Sequence, residues 1–237
     1  MHPFLQKLPT CSLAPDQLAS LCRQKLTITN SFMPALCRAR DMAEMAGKQE
    51  LAMALQINLA DERGVDPTTG QPNGLGAHSS WAKIFYEALD EAVEEHGKTS
   101  TLSEPDPRCW ELFDVDDSDS LDLIIGMIMA TEKCIPLDFT AWLKAFSLGF
   151  PSLAAQGKTG PLYYMFDHIE HDETRHLPDL VDGYLGRLPG SKWYILESGV
   201  VGDRAAADLI DGIDRSIALR LAFYDHMLVL LERYIHP

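Results

Sequence analysis

Three histidines and three acids crowd into the nine residues from His168 to His176, HIEHDETRH, within a stretch of helical periodicity. His168, Asp172 and His176 recur every fourth residue, which places them on the same side of a helix as the neighbouring apolar residues. Imidazole and carboxylate groups on a buried face need a partner, because an unpaired buried charge is costly. A metal ion is the partner that these ligand types favour.

Three other helical segments carry an ionisable residue on their apolar side. Glu62 ends the stretch LAMALQINLADE, His78 begins HSSWAKIFYEAL, and Glu132 ends LDLIIGMIMATE. A surface helix normally keeps its charge away from its apolar stripe, so these placements are unusual. Taken alone, His78 is more often a satisfied core histidine, whereas the spacing before Glu132 is the cleanest of the three patterns.

Six inward-facing groups are therefore predicted to converge: Glu62, His78, Glu132, His168, Asp172 and His176. Three carboxylates and three imidazoles exceed the ligand set of one zinc ion, and a nitrogen and oxygen set without thiolate favours iron or manganese in a helical bundle. Carboxylates can bridge two cations and leave coordination positions open for dioxygen. Two metal ions are the expected number, although spacing alone does not separate iron from manganese or two metals from one.

The elements that must position these residues are helices throughout, which predicts an all-α fold in a single domain over residues 1–237. Three long connections are expected over residues 64–76, 103–119 and 188–203, where glycine, proline and polar residues interrupt the periodicity. The predicted helices cover residues 15–27, 30–46, 48–64, 78–97, 119–133, 137–149, 161–188 and 203–235.

Composition restricts the partners of the chain. A formal net charge of -15 with no basic stripe argues against nucleic acid and against an anionic membrane surface, and it favours a small-molecule substrate. The five cysteines show no paired spacing such as C-x-x-C, and the N-terminus lacks the apolar core of a signal peptide. No apolar run approaches the roughly 18 residues of a membrane span. We therefore expect a cytoplasmic protein with reduced cysteines.

The sequence resembles the haem-oxygenase-like diiron oxidases and oxygenases across roughly residues 48–186. The resemblance is carried in order by NLADERG, GAHSSWAKIFYEAL, ATEKCIP and YYMFDHIEHDETRH. It implies a haem-oxygenase-like bundle of about seven to eight helices that holds two Fe(II) ions and uses O2 as a cosubstrate. Matched by position, the iron ligands that it implies are the same six residues that the apolar stripes predict.

Two features depart from the family pattern. The segment between Glu62 and His78 is longer than in the family, and the family motif H-x-x-x-D-x-x-H has one residue fewer before its last histidine than the run from Asp172 to His176. A π-bulge could absorb the extra residue. Alternatively, Glu173 replaces or joins Asp172 as the ligand, whereas a straight helix favours Asp172.

By resemblance, the reaction is an O2-dependent oxidation of a small amine, amino acid or fatty-acid-like molecule in specialised natural-product metabolism. N-oxygenation, oxidative C–C or C–N cleavage, and nitrile or alkene formation are the outcomes that the family implies. Arg63, Lys133 and Arg175 adjoin proposed ligands and could bind a substrate carboxylate, although such residues are more often ligand-supporting or surface charges. The sequence does not decide whether the chain forms a homodimer.

Two alternatives remain. A metal-free enzyme similar to thiaminase II would use Cys134 as nucleophile together with a carboxylate, but it would not need six matched ligands. A non-enzymatic iron-binding or iron-sensing protein could use the same six residues. Metal content and O2 consumption distinguish these possibilities, because the oxygenase needs both, the sensor only metal, and the thiaminase-like enzyme neither.

Overall fold

Helices make up almost all of the regular structure in residues 1–98, 115–186 and 203–236, the part of the chain that this computed structural model describes. The side chains of residues 25–31, Glu173 and Asp203 lie outside that description. The nine α-helices of the described residues are α1 (Pro3–Lys7), α2 (Pro15–Met45), α3 (Gln49–Arg63), α4 (His78–Glu95), α5 (Leu121–Gly149), α6 (Pro151–Ala154), α7 (Tyr163–His171), α8 (Leu177–Tyr184) and α9 (Asp203–Ile235).

No strand occurs among the described residues, so the predicted all-α class is confirmed. A π-helical segment, Asp172–His176, joins α7 to α8, and short 3-10 turns follow α1 and α6. The α1 helix and its 3-10 turn were not predicted. Most of the expected connections at 103–119 and 188–203 fall outside the described residues.

Two predicted helix boundaries are wrong. The segments 15–27 and 30–46 form the single helix α2, and the segments 119–133 and 137–149 form the single helix α5. Pro34 and Pro136 lie inside these helices. Because proline lacks an N–H, Pro136 cannot donate the helical hydrogen bond to the carbonyl of Glu132, yet burial of α5 on most sides keeps the helix continuous.

The core is built around α5, which packs along α9 and also contacts α2, α7 and the π-helical segment. Its inner residues include Ile124, Ile125 and Ile128, all fully buried. The backbones of α5 and α9 approach so closely at Gly126 that a Cβ there would lie 2.1 Å from the Leu209 carbonyl oxygen. Such close packing fixes α5 as a rigid support for any residue on its other side.

Local sequence signals end α3 and begin α5 near the predicted boundaries. Gly64 caps α3 in the left-handed region, with φ of 67°, and a Cβ at this position would lie 2.2 Å from the backbone of Gly76. The connection that follows returns to α4, which begins at His78. At the start of α5, the Ser120 side chain accepts a hydrogen bond from the N–H of Leu123 at 3.2 Å. None of the described helices is long and apolar enough to cross a membrane.

Candidate metal centre

The six predicted ligand residues lie in two groups of three. The first group is Glu62, His78 and His168, and the second group is Glu132, Asp172 and His176. Within each group, one nitrogen or oxygen from every residue lies within 4.8 Å of the other two, which is close enough for a shared metal ion. Their role as ligands stays a prediction, but their convergence is a feature of the fold.

The first group joins three helices. Glu62 is at the end of α3, His78 opens α4, and His168 lies on α7. His78 Nδ1 is 3.1 Å from Glu62 Oε1, and the rings of His78 and His168 have centroids 4.6 Å apart. His168 Nδ1 lies 2.8 Å from the carbonyl oxygen of Tyr164. An Nδ1–H that donates to this carbonyl leaves Nε2 as the deprotonated nitrogen, the form that binds a metal.

The second group is more deeply buried and joins α5 to the π-helical segment. His176 Nδ1 lies 3.8 Å from Glu132 Oε2 and 3.5 Å from Asp172 Oδ1. Asn58 on α3 donates a hydrogen bond of 2.7 Å to Glu132 Oε1, which fixes the orientation of that carboxylate. All three residues of the group are at most 5% exposed.

Unsatisfied polar atoms in both groups fit a cation. Asp172 Oδ2 is buried without a hydrogen-bond partner among the described residues. His78 Nδ1 also makes no hydrogen bond, because its contact with Glu62 lacks hydrogen-bonding geometry. Buried polar atoms are rarely left without a partner. Each group thus contains one buried atom without a hydrogen bond in the described part of the chain. The nitrogen and oxygen ligands of both groups suit iron or manganese.

Two carboxylates that were not predicted from the sequence lie beside Nε2 of two of the histidines, the ring nitrogen opposite the one that faces the other predicted ligands. Asp61 Oδ2 lies 3.3 Å from His176 Nε2, and Asp167 Oδ2 lies 3.7 Å from His78 Nε2. Metal-binding histidines commonly contact a carboxylate through their second nitrogen, which fixes the tautomer and the ring orientation. Each acid directly precedes a predicted ligand, Glu62 or His168, and this adjacency was the available sequence signal.

Both supporting acids have further partners at the surface. Arg175 Nη1 lies 3.2 Å from Asp61 Oδ2. Burial raises the pKa of Asp61, but the hydrogen bond with His176 and the charge of Arg175 outweigh it and hold that pKa below its usual value. Asp167 Oδ1 accepts a hydrogen bond from the Tyr163 hydroxyl at 3.0 Å and lies 2.9 Å from His171 Nδ1. These contacts keep both acids in place.

The second group holds protons when no metal is bound. Burial lowers the pKa of His176, but its interactions with the carboxylates of Asp172, Asp61 and Glu132 outweigh this effect and raise the pKa to about 12. Burial, followed by the charge of Glu132, raises the pKa of Asp172 to about 8. A cation that binds here must therefore displace protons.

The helix that carries HIEHDETRH is not straight. The π-helical segment begins at Asp172, which agrees with the bulge that the extra residue indicated. Despite this bulge, Asp172 is only 2% exposed and lies with Glu132 and His176. Asp172 therefore lies in the second group although the helix is not the straight one that favoured it, and the side chain of Glu173 lies outside the described residues.

The three cations that were considered for substrate binding lie in different settings. Arg175 is half exposed and pairs with Asp61. Lys133 is exposed on α5. Arg63 lines a cleft of about 680 Å³, the α4 cleft, whose other lining residues are Met33, Glu62, Ala77, Ser79, Ala82, Lys83, Tyr86, Glu87, Asp90 and Tyr164. Because Glu62 belongs to both, the first group borders this cleft.

Cys134 lies away from both groups. Its neighbours are Arg220 and Asp138, which form a buried ion pair of 2.6 Å between α9 and α5. Burial raises the pKa of the Cys134 thiol, and the charge of Arg220 offsets this only in part. A nucleophilic cysteine needs a lowered pKa, so this environment does not favour the thiaminase-like alternative.

The fold is shared with a solved protein whose function is unknown. A crystal structure of a CADD-like protein of unknown function from Nostoc punctiforme, at 2.00 Å resolution, superposes with a TM-score of 0.62 and 19% sequence identity, covering 98% of this chain and 88% of that chain. A second crystal structure of a CADD-like protein from the same organism, at 1.35 Å, gives a TM-score of 0.58 and 17% identity over 99% of this chain and 88% of that one.

Similarity at this level of identity establishes the fold alone. No family model matches the sequence, and no curated protein matches it. The resemblance to haem-oxygenase-like diiron oxidases therefore stays a prediction that rests on the motifs and on the arrangement of the two groups.

Proposed function

We propose that this chain is a non-haem diiron oxidase or oxygenase that binds two Fe(II) ions and uses O2 to oxidise a small molecule. The observation that carries the proposal is the pairing of two buried nitrogen and oxygen groups, one of which borders an open cleft. Bound iron would supply the activation of dioxygen. The resemblance supports specialised metabolism as the setting, with N-oxygenation, C–C or C–N cleavage, or nitrile or alkene formation as the reaction class.

The two groups have different tasks in this proposal. Glu132, Asp172 and His176 would hold one ion in a site that excludes water, since all three are almost fully buried. Glu62, His78 and His168 would hold the other ion beside the α4 cleft, where a substrate can approach. In this proposal the ion of the second group is shielded from solvent, and the ion of the first group is the one that faces the substrate.

The supporting residues orient the ligands and limit proton movement. Asp61 would keep Nδ1 of His176 deprotonated for the metal by accepting from the opposite ring nitrogen. The charge of Asp167, 3.7 Å from His78 Nε2, would orient the His78 ring. Asn58 would hold one oxygen of Glu132, so that the other oxygen faces the second metal position. These contacts preorganise the site before any ion binds.

Anaerobic loading with Fe(II), followed by exposure to O2, tests the proposal. We expect iron to saturate at about two ions per chain, as six ligands divided into two groups predict. We also expect O2 to be consumed by the loaded protein. Iron uptake without O2 consumption in the presence of amine, amino-acid and fatty-acid substrates would favour the sensing alternative, and no iron uptake would contradict the proposal.

Glu132→Gln is the sharpest variant for the second group, because it removes one charge and keeps the shape of the side chain. Bound iron should fall from about two ions per chain to about one, with an unchanged helical circular dichroism spectrum. Glu170→Gln is the matched control, since Glu170 is a half-exposed acid that pairs with Lys158 outside both groups. Full iron content and turnover in Glu132→Gln would show that this residue is not a ligand.

A further inference from the structure

The α4 cleft has walls that suit a small organic molecule. Its volume of about 680 Å³ falls within the range of roughly 300–1,000 Å³ that is typical of small-molecule sites. Met33, Ala82, Tyr86 and Tyr164 supply apolar and aromatic surface. The first group lies at one side of the cleft through Glu62, so a molecule bound here would sit beside the proposed reacting metal.

Two of the three acids that line the cleft already have cationic side chains as partners. Asp90 pairs with Arg23, and Glu87 pairs with Lys83 at 3.7 Å on the same helix. Glu62 is a proposed metal ligand, and its charge would be offset by the bound ion. These acids therefore leave little free negative charge to attract a cationic substrate.

Arg63, in contrast, forms no ion pair with an acid among the described residues. Its guanidinium donates to Cys37 Sγ at 3.3 Å. No ion pair among the described residues therefore offsets the charge of Arg63. Its charge is also adjacent to the first group, because Arg63 directly follows Glu62 along α3.

We propose that the α4 cleft binds a carboxylate-bearing molecule with an apolar body, in which Arg63 binds the carboxylate. A planar guanidinium can donate two parallel hydrogen bonds to one carboxylate, a geometry that lysine cannot reproduce. The apolar body then lies against Met33, Ala82 and Tyr86, beside the first group. This assignment names the substrate class of the proposed oxidase and so rests on the proposed function.

Three probes with the same phenyl body and different charges test the assignment: phenylacetate, phenethylamine and phenethyl alcohol. Their binding is measured by isothermal titration calorimetry, both on the metal-free protein and on the Fe(II)-loaded protein under nitrogen. We expect phenylacetate to bind more tightly than the amine and the alcohol in both forms. Arg63→Ala should weaken phenylacetate binding by about 10- to 100-fold, as the loss of a charge-assisted contact predicts.

Two further variants sharpen this test. Arg63→Lys should recover only part of the affinity, because it keeps the charge but not the fork geometry. Lys83→Ala is the matched control, since Lys83 is another cation of the same cleft that already pairs with Glu87, and it should leave the affinity for phenylacetate unchanged. The Arg63→Ala protein should also bind its full iron, which shows that the variant is folded.

The outcomes of these titrations separate the cleft assignment from the proposed function. Equal binding of all three probes, or an unchanged affinity in Arg63→Ala, would exclude recognition of a carboxylate by Arg63. Binding of phenylacetate that requires Fe(II) and ignores Arg63→Ala would mean that the carboxylate binds the metal directly. If the protein takes up no iron but the metal-free form still selects phenylacetate through Arg63, the proposed function fails and the cleft assignment stands.

Discussion

A substitution at Asp61 should affect iron binding at the second group and not at the first. Asp61 contacts Nε2 of His176, which belongs to the second group. In Asp61→Ala, His176 loses the carboxylate that lies 3.3 Å from its Nε2. Arg175 also loses its partner at 3.2 Å, which leaves an uncompensated positive charge near the second group. Both changes disfavour a cation at Glu132, Asp172 and His176.

The expected loss follows from the behaviour of such supporting carboxylates. Removal of one typically weakens metal binding by about 10- to 100-fold, or about 1.4 to 2.7 kcal/mol. We expect this loss at the second group only, so an anaerobic Fe(II) titration against a competing chelator should show one affinity retained and the other weakened relative to the unmodified protein. Asp61→Asn should lose less, since its amide oxygen can still accept a hydrogen bond from His176.

Asp167→Ala is the reciprocal control for this experiment. Asp167 lies 3.7 Å from His78 Nε2, so its removal should weaken the first group instead. Retention of both affinities in Asp61→Ala would refute the supporting role. An equal fall in Fe(II) affinity at both groups, in either variant, would show that the two positions do not bind iron independently. Circular dichroism would show whether loss of folding explains such a fall.

Two further predictions concern the second group. Asp172→Ala should abolish iron-dependent O2 consumption while Glu173→Ala retains most of it, because Asp172 lies with Glu132 and His176; the reverse result would make Glu173 the ligand. Iron binding should also release protons, since the pKa of His176 is raised to about 12 and that of Asp172 to about 8. Affinity for Fe(II) should therefore rise with pH, by up to about tenfold per unit for each proton displaced, and calorimetry in buffers of different ionisation enthalpy would count those protons.

The helices and the six convergent residues could be predicted from the sequence because both depend on local periodicity. The continuity of α2 and α5 could not be predicted. The cost of an interior proline such as Pro136 is local, and tertiary packing of a long buried helix can outweigh it. The bulge at Asp172 was foreseeable only as a difference in spacing from a known motif. Periodicity alone predicts a straight helix there.

The division of the six residues into two groups depends on how helices pack, which a single sequence does not show. Asp61 and Asp167 were missed for a related reason. Each is one position away from a residue on the apolar stripe, which rotates it by about 100° on a helix and gives it the appearance of a flanking surface acid. Only the placement of α4 and of the π-helical segment shows that these acids lie beside His78 and His176.

The two groups also differ in how much of the chain must be folded before they exist. The second group takes its ligands from α5 and the π-helical segment, with supporting contacts from α3, whereas the first also requires α4 and α7. Each additional segment that is ordered costs conformational entropy. We therefore expect the second position to fill before α4 has docked and the first only afterwards. Since α4 also forms a wall of the cleft, the complete iron pair would exist only in molecules whose substrate site is already built.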